Sequence, residues 1–274
     1  APKAAQTRYL GPVSHTRVAV VQIDFHPAAL VDRHSPLADP LFQLNAPSSL
    51  LPASGLVPAE LNEPLEQLRA RVRREHNRCL MLKLRAVLER CLAWGVKLVV
   101  LPEYSVGAEL LPELSAIAPE LVVVAGTHAV ERALLREGIY ARLGWPEAPR
   151  SGMAVAPVLH RGRLLALQPK LSATKPELGN LVCGDRWDPI EFDLGGGPAI
   201  PGPLGVMICL DFLFRERPEH REQVGPGLDR VRFLAVPSYT PWHSAGEFAA
   251  EAWQAARRYG RPVLWANVAS QGGS

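Results

Sequence analysis

Short apolar runs rich in β-branched residues recur along this chain, and they limit its fold more than any other feature of the sequence. Examples are RVAVVQID at residues 17–24, VKLVVLPE at 96–103, LVVVAG at 121–126 and RFLAV at 232–236. Runs of this length are typical of strands that are buried on both faces. The sequence therefore predicts an α/β protein in which residues 17–24 form a central strand.

The longest helical pattern covers residues 65–94, where leucines recur with the period of a helix and Gly95 is a typical stop. Five arginines cluster in its first half, at positions 69, 71, 73, 74 and 78. A nucleic-acid patch is one interpretation, but no aromatic residues are interleaved, so a solvated helix face is favoured. Cys79 and Cys91 fall within the apolar spacing and are predicted to lie in the core.

The second half of the chain reads as strands joined by turns, with few helices between them. Glycines 195–197 predict a hairpin turn, because the strand-to-helix context of a phosphate loop is missing. The remaining predicted elements are a hairpin of 153–159 and 163–168 around Arg161-Gly162, a strand at 190–193, a helix at 246–258 and a strand at 262–267.

Composition narrows the class of protein. With 274 residues, 47% of them hydrophobic, the chain can bury the core of one large domain over 17–274, after a flexible lead-in at 1–16. A net charge of +3 is too small to require nucleic acid or a membrane as partner. No apolar run approaches the roughly 20 residues that cross a bilayer, and no signal peptide is recognisable. Four cysteines without CxxC spacing disfavour a zinc site and a disulfide framework, so we expect a reducing, cytoplasmic setting.

Residues 26–64 are rich in Pro, Ser, Leu and Ala and show no sustained period. A connection of this length is typical of a functional or partly disordered segment. We interpret it as an insertion into the domain, which would cap a pocket or bind a partner.

The stretch LGVMICLDFLF at residues 204–214 predicts a buried strand that ends at Cys209. Glu103 and Lys170 follow apolar runs in the same way. Loops at such strand ends carry polar groups on a rigid base, which is where reactive groups collect. A lone buried cysteine is more often structural, however, and a lone glutamate more often opens a surface loop.

Together, these three groups would suffice for acyl chemistry. A thiol needs a base to become a nucleophilic thiolate. A confined carboxylate can be that base, because burial raises its pKa while a neighbouring lysine lowers it. The lysine would also stabilise the oxyanion of a tetrahedral adduct. Glu103, Lys170 and Cys209 would therefore need no histidine, metal or cofactor, although no spacing rule makes the set specific.

The ordered motifs VAVVQ, LVVLPE, a lysine that closes a strand after a hairpin, and GVMICLD resemble those of the nitrilase, or carbon–nitrogen hydrolase, superfamily. The similarity extends over residues 17–267 and implies an α-β-β-α sandwich with a Glu–Lys–Cys triad. It assigns Glu103 as the general base, Lys170 as the oxyanion-stabilising lysine and Cys209 as the nucleophile. It also assigns Glu177 as a second glutamate that orients the lysine and the substrate.

The chain departs from that family's usual pattern at several places. Leu213 stands where many members carry arginine, and Tyr259-Gly260 replaces a common Glu-Asn pair. The segment RRYGRPVLWAN is more similar to apolipoprotein N-acyltransferases. The family's usual C-terminal strands do not follow Asn267, so we expect a sandwich without them, in a chain that is either truncated or one part of a longer polypeptide. The resemblance implies a homo-oligomer, but those strands often contribute to its interface, so the interface stays open.

The resemblance implies hydrolysis of a small linear amide or carbamoyl amide through a cysteine thioester, with no cofactor. The backbone N–H of Leu210 would share the oxyanion with Lys170. Tyr104, Leu210, Tyr239 and Trp242 follow strands and are the candidate pocket residues, although core packing explains Trp242 equally well. Two alternatives stay open: an acyltransferase or ammonia-supplying glutaminase-type domain, and a non-catalytic scaffold that binds a partner or nucleic acid.

Overall fold

A computed structural model describes residues 16–23, 59–174, 177–179, 181–192 and 202–269 of the chain. The predicted lead-in up to residue 15, the insertion up to residue 58 and the glycine turn at 195–197 lie outside these ranges. Within them, no helix combines the length and the apolar character that crossing a bilayer requires.

Among the described residues, six strands form the larger of two sheets. They follow the order β1-β2-β3-β5-β4, with β6 also paired to β5. The first three run parallel, and β5 is antiparallel to β3, β4 and β6. Their bounds are Arg17–Val20 (β1), Val96–Val100 (β2), Val122–Val124 (β3), His128–Ala129 (β4), Ala154–His160 (β5) and Arg163–Pro169 (β6).

The smaller sheet has three parallel strands, β7 (Leu204–Val206), β8 (Phe233–Pro237) and β9 (Val263–Ala266). Short 3₁₀ turns lie at Ala108–Leu110 and Trp242–Ser244. The helices are α1 (Ala59–Ala93), α2 (Leu111–Ile117), α3 (Arg132–Arg136), α4 (Ile139–Arg142), α5 (Leu210–Phe214), α6 (Pro218–Leu228) and α7 (Ala245–Tyr259).

Alternate residues of β2 enter two different cores, because successive side chains of a strand point to opposite faces. Leu98 and Val100 pack with residues of the smaller sheet, in what we call the inner core. Val99 packs with residues of α1 and α2, in what we call the outer core. Since α6 and α7 pack on the smaller sheet, the layers are α-β-β-α, as predicted.

The predicted hairpin is confirmed as β5 and β6, joined at Arg161 and Gly162. Both residues have positive φ angles, of 50° and 76°, which is the conformation of a two-residue turn between twisted strands. The helix predicted at 246–258 and the strands predicted at 121–126, 232–236 and 262–267 are also present, with ends shifted by a few residues.

The prediction that residues 17–24 form a central strand is wrong. Among the described residues β1 pairs only with β2, so it lies at the edge of the larger sheet. Its apolar character has another origin: Val18 and Val20 pack on the inner core, while Ala19 and Val21 pack on the outer core. An apolar run reports that both faces are covered, but it does not report how many strands lie alongside.

Of the strand predicted at 190–193, the described residues 190–192 form one bridge, in which Ile190 and Leu204 exchange hydrogen bonds of 2.8 and 3.0 Å. The next residue, Glu191, is exposed and pairs with Arg230. Ile190 is buried and Phe192 packs half-buried on the same inner core, so the alternation of a strand is kept over these three residues.

Helix α1 begins at Ala59, so the last residues of the predicted insertion are helical. Its buried stripe contains Leu80, Leu84, Leu88 and Cys91. Cys79 was predicted to be buried with Cys91, but it is exposed because it precedes Leu80 by one residue and so points about 100° away from the stripe. All four cysteines are unpaired.

Candidate active site

Polar residues from both sheets meet where four strands end. Glu103 follows β2, Lys170 follows β6, Cys209 follows β7 and Ser238 follows β8. Lys170 reaches the same edge as Glu103 because β6 is antiparallel to β5 and therefore runs in the direction of β2 and β3. The site is thus built on rigid strands, which hold side chains more accurately than loops do.

Backbone hydrogen bonds tie the predicted base and nucleophile to the end of β8. The N–H of Glu103 donates to the carbonyl of Ser238 at 3.3 Å and so joins the two sheets, and the N–H of Cys209 donates to the carbonyl of Pro237 at 2.8 Å. Two neighbouring residues at the end of β8 therefore fix the backbone of both Glu103 and Cys209.

The ammonium of Lys170 lies between two carboxylates. Its Nζ is 2.7 Å from Oε1 of Glu103, and 2.7 and 2.9 Å from the two oxygens of Glu177. Oε2 of Glu103 accepts the backbone N–H of Tyr239 at 3.0 Å. Lys170, Glu103 and Glu177 are each only 1% exposed, and a buried charge of this kind is stable only when it is paired.

Cys209 completes the cluster. Its thiol lies beside Glu103, so that each group shifts the pKa of the other, and the hydroxyl of Ser238 donates toward Sγ at 3.6 Å. The residue keeps 6% of its surface exposed. The structure therefore brings together all four of the residues that the sequence assigned to catalysis, Glu103, Lys170, Glu177 and Cys209.

The backbone at Cys209 is strained. Its φ and ψ angles are 48° and −109°, a conformation that residues other than glycine rarely adopt and that costs about 1–3 kcal/mol. It lies between the apolar run that continues β7 and the first residue of α5, Leu210. Strain of this kind clusters at active sites, where a sharp strand-to-helix turn projects the nucleophile out of the sheet.

The two glutamates differ in protonation. Burial raises the pKa of Glu103, and the ammonium of Lys170 only partly opposes this. Burial would also raise the pKa of Glu177, but Lys170 and hydrogen bonds from Thr174 and Tyr104 outweigh it and lower the pKa. Glu103 is thus suited to exchange a proton, whereas Glu177 stays ionised and holds the lysine.

Lys170 stays charged and Cys209 starts as a thiol. Burial would lower the pKa of Lys170, but the nearby carboxylates, Glu103 first, raise it well above its usual value. Burial and the charge of Glu103 raise the pKa of the Cys209 thiol. A thiolate at Cys209 can therefore form only as its proton moves to a neighbour, and Glu103 is the carboxylate beside it that can accept the proton.

Glu177 is held by two residues whose part in the site was not foreseen. The hydroxyl of Tyr104 donates to Oε1 at 2.5 Å. Thr174 donates to Oε2 from its backbone N–H at 2.7 Å and from its hydroxyl at 2.6 Å. The spacing Thr-x-x-Glu is that of a capping box, and this signal could have identified Thr174 from the sequence. No sequence signal marks Ser238.

The four predicted pocket residues have different positions. Tyr104 is buried and holds Glu177, and Tyr239 uses its backbone N–H to hold Glu103. Leu210 directly follows the nucleophile at the start of α5. Trp242 is 75% exposed, so core packing does not account for it. That these side chains line a substrate pocket stays a prediction.

Within the described ranges, no group of three His, Cys, Asp or Glu side chains is placed to hold a metal ion. His128 is buried, and its Nε2 lies 2.7 Å from the hydroxyl of Tyr140, a residue of the outer core. The histidine therefore belongs to packing and not to the cluster around Cys209.

The fold is an α-β-β-α sandwich, because two sheets face each other and helices pack outside them. A buried set of Glu, Lys and Cys lies at the ends of its strands. The chain has the fold of the nitrilase superfamily, as comparison with solved structures shows. No protein-family model matches the sequence, and no curated protein matches it either.

Two of the similar structures illustrate the likeness. Nit3 of Saccharomyces cerevisiae, a member of branch 10 of the nitrilase superfamily, is 17% identical, with 70% of each chain covered and a TM-score of 0.50. The NitN amidase from Nesterenkonia sp. AN1 is 15% identical, with 93% of this chain and 78% of the amidase covered and a TM-score of 0.51. At these identities the likeness concerns the fold.

Proposed function

We propose that the protein hydrolyses the carbon–nitrogen bond of a small linear amide or carbamoyl amide through a thioester on Cys209. One observation carries the proposal: the carboxyl group of Glu103 bonds the ammonium of Lys170 at 2.7 Å and lies beside the thiol of Cys209, close enough for the two groups to shift each other's pKa. A nucleophile, its base and an oxyanion donor thereby meet around one point, which is the geometry that acyl transfer needs.

In the acylation step, the Cys209 proton moves to Glu103 while sulfur attacks the carbonyl carbon of the substrate. The carbonyl oxygen becomes an oxyanion, which Lys170 and the N–H of Leu210 would stabilise. As the tetrahedral adduct collapses, its carbon–nitrogen bond breaks and Glu103 returns the proton to the leaving nitrogen. Ammonia or an amine departs, and the acyl group stays on sulfur as a thioester.

In the deacylation step, Glu103 takes a proton from a water molecule, whose oxygen attacks the thioester carbon. The same donors would hold the second oxyanion. Collapse releases the carboxylic acid from Cys209, and Glu103 returns the proton to sulfur. Burial raises the pKa of Glu103, which makes this carboxylate a stronger base for taking the proton of the thiol and of the water.

A related protein supports this chemistry. A mutant of the Nesterenkonia sp. AN1 amidase, 17% identical to this chain with a TM-score of 0.52, shows covalent addition of the acetamide moiety of fluoroacetamide at its active-site cysteine. We infer that small amides reach Cys209 in the same manner.

Intact mass spectrometry after incubation with a panel of small amides tests the proposal. The expected result is an acyl adduct on Cys209 for the best substrates, together with ammonia or amine release and no adduct on Cys209→Ala. A panel that produces neither an adduct nor product would contradict the proposal and favour a non-catalytic scaffold.

Added hydroxylamine distinguishes hydrolysis from acyl transfer. A hydrolase releases mostly the free acid when hydroxylamine is dilute, whereas an acyltransferase forms the hydroxamate in preference to the acid. If the hydroxamate is the main product, the protein is an acyltransferase and the proposed hydrolysis is wrong.

A further inference from the structure

A second buried carboxyl lies beside the site and has no part in the chemistry proposed above. Asp211 is 3% exposed and belongs to α5, two residues after Cys209. Its Oδ2 accepts the backbone N–H of Leu171 at 2.9 Å, and Leu171 directly follows Lys170. Asp211 therefore bonds the helix that begins after the nucleophile to the segment that carries the lysine.

This link continues to α6. Ser172, the next residue along that segment, lies beside Asp211 and lowers its pKa, and its Oγ lies 2.6 Å from Nε2 of His220 on α6. Ser172 is buried and His220 is half-buried. The backbone that leaves Lys170 is thus held on one side by α5, through the bond from Leu171 to Asp211, and on the other by α6, through Ser172 and His220.

The surroundings of Asp211 favour its neutral form. Burial raises its pKa to about 7, although the N–H of Leu171, the charge of Lys170 and contacts from Ser172 lower it. Its Oδ1 is buried and accepts no hydrogen bond from the described residues. Such an oxygen destabilises a carboxylate more than a neutral acid, because a buried charge needs partners on both oxygens.

Apart from Lys170, the titratable groups next to Asp211 are Cys183 and His220, and both are uncharged at neutral pH. Burial first, and then Asp211 itself, raise the pKa of Cys183, which precedes Gly184, a residue bonded to the Lys170 carbonyl. Burial lowers the pKa of His220. Lys170 is therefore the charged group that faces Asp211 from the elements packed against it.

We propose that Asp211 is a positioning residue that sets Cys209 against Lys170, and that it does so as a neutral acid. Ionised Asp211 would place a second negative charge near Lys170 and near the sulfur. It would then draw the ammonium away from the oxyanion position and oppose formation of the thiolate. This inference rests on the proposed function for its predictions of turnover, whereas its predictions for the alkylation of Cys209 do not depend on that function.

The test uses three variants of the full chain: Asp211→Ala, Asp211→Asn and the control Tyr140→Phe, which removes a buried hydrogen bond from the outer core. For each we would measure kcat and KM on the best amide, the melting temperature, and the rate at which iodoacetamide alkylates Cys209 between about pH 5.5 and 8.5. The alkylation rate reports the reactivity of the thiol whether or not amides are substrates.

Asp211→Ala should lower kcat on the order of 100-fold with little change in KM, because a small displacement of reacting groups has that effect. It should slow the alkylation of Cys209 by about tenfold or more. Asp211→Asn keeps an acceptor for Leu171 and no charge, so it should retain both rates within about threefold near pH 6. The ratio of the wild-type rate to the Asn rate should then fall above pH 7, as Asp211 ionises.

Three outcomes would overturn the inference: Asp211→Ala matching Tyr140→Phe in kcat and alkylation, Asp211→Asn being impaired as much as Asp211→Ala, or a rate ratio that does not change with pH. The pH dependence of the ratio of the wild-type rate to the Asp211→Asn rate tests the inference even if the Asp211→Ala variant fails to fold. If the wild type hydrolyses no amide but the alkylation effects are present, the proposed hydrolysis fails and the positioning role stands. If the wild type hydrolyses amides and the alkylation effects are absent, the positioning role alone fails.

Discussion

Two cysteines of this protein are equally buried and have different surroundings. Cys91 is 5% exposed in the outer core beneath the larger sheet, and Cys209 is 6% exposed at the edge where the two sheets meet. Burial raises the pKa of both thiols. For Cys91 burial is the whole cause, whereas Cys209 also has a carboxylate, an ammonium and a hydroxyl around it.

The difference shows that burial does not separate a structural cysteine from a reactive one. A thiol in apolar surroundings stays protonated and inert, because nothing accepts its proton. At Cys209 the acceptor, Glu103, is present, and Lys170 compensates the negative charge that moves between the carboxylate and the sulfur. The backbone differs as well, since Cys91 is helical and Cys209 is strained.

Removing each thiol in turn should give the largest contrast. We expect Cys209→Ala to abolish turnover, a loss on the order of 10⁴-fold or more, because no other group can form the thioester. Cys91→Ala should retain kcat and lower the free energy of unfolding by about 1 kcal/mol through the small cavity it leaves. Initial rates and chemical denaturation of both variants check this. Residual turnover in Cys209→Ala, after contamination is excluded, would reject the nucleophile.

Replacing Lys170 by methionine should lower the free energy of unfolding by more than any substitution of Cys91 does. Two buried carboxylates would lose their counter-ion, and breaking a buried pair costs about 3–5 kcal/mol. The pKa values of Glu103 and Glu177 should then both lie above their unfolded values, so that the folded state binds more protons. Stability of the variant should therefore fall as pH rises from about 4 to 7, more steeply than that of the wild type.

Lys97→Met is the matched control, because Lys97 is an exposed residue of β2, the strand that carries Glu103. Its unfolding free energy should stay within about 0.5 kcal/mol of the wild type at every pH. Denaturation curves at several pH values compare the two variants. Equal stabilities for them would mean that the Lys170 ion pairs contribute nothing net.

Alkylation should separate the two thiols directly. We expect iodoacetamide, itself a small amide, to label Cys209 on the order of 100-fold faster than Cys91, because only Cys209 has a base in contact. Glu103→Gln should remove most of that difference. Peptide mapping over a time course measures each rate, with exposed Cys79 as an internal reference for an accessible thiol. Equal rates at Cys91 and Cys209 would contradict activation by Glu103.

The smallest effect should come from removing a hydrogen bond that Thr174 donates to Glu177. Thr174→Val removes one of the hydrogen bonds to Glu177 and keeps the side-chain shape, and a hydrogen bond to a charged group contributes about 1.5–3 kcal/mol. Part of that should appear as a decrease in kcat of about tenfold, with the pH profile displaced because the pKa of Glu177 rises. Thr174→Ser should restore the wild-type profile. If Val and Ser behave alike, the hydroxyl of Thr174 does not position Glu177.

Much of the fold followed from local pattern. The hairpin around Arg161-Gly162 needs only two neighbouring apolar runs and a turn that accepts positive φ, so it was predicted correctly. The edge position of β1 could not be predicted, because its apolar residues report covered faces and not neighbouring strands. The exposure of Cys79 depends on how α1 is rotated about its axis against the sheet. The buried stripe contains Leu80 and not its neighbour Cys79, and the helical period alone does not fix this choice.

The sequence by itself determined the chemical inventory of this protein: apolar strands that end in a carboxylate, an ammonium and a thiol, in motifs that resemble one superfamily. Only the tertiary structure decided which groups touch. It placed the ammonium of Lys170 between Glu103 and Glu177, gave Tyr104 a hydrogen bond to Glu177, and added Thr174, Ser238 and Asp211. The physical reason is range: strand and helix periods reflect neighbours along the chain, whereas charge pairing and pKa depend on contacts of a few ångströms between residues far apart in sequence.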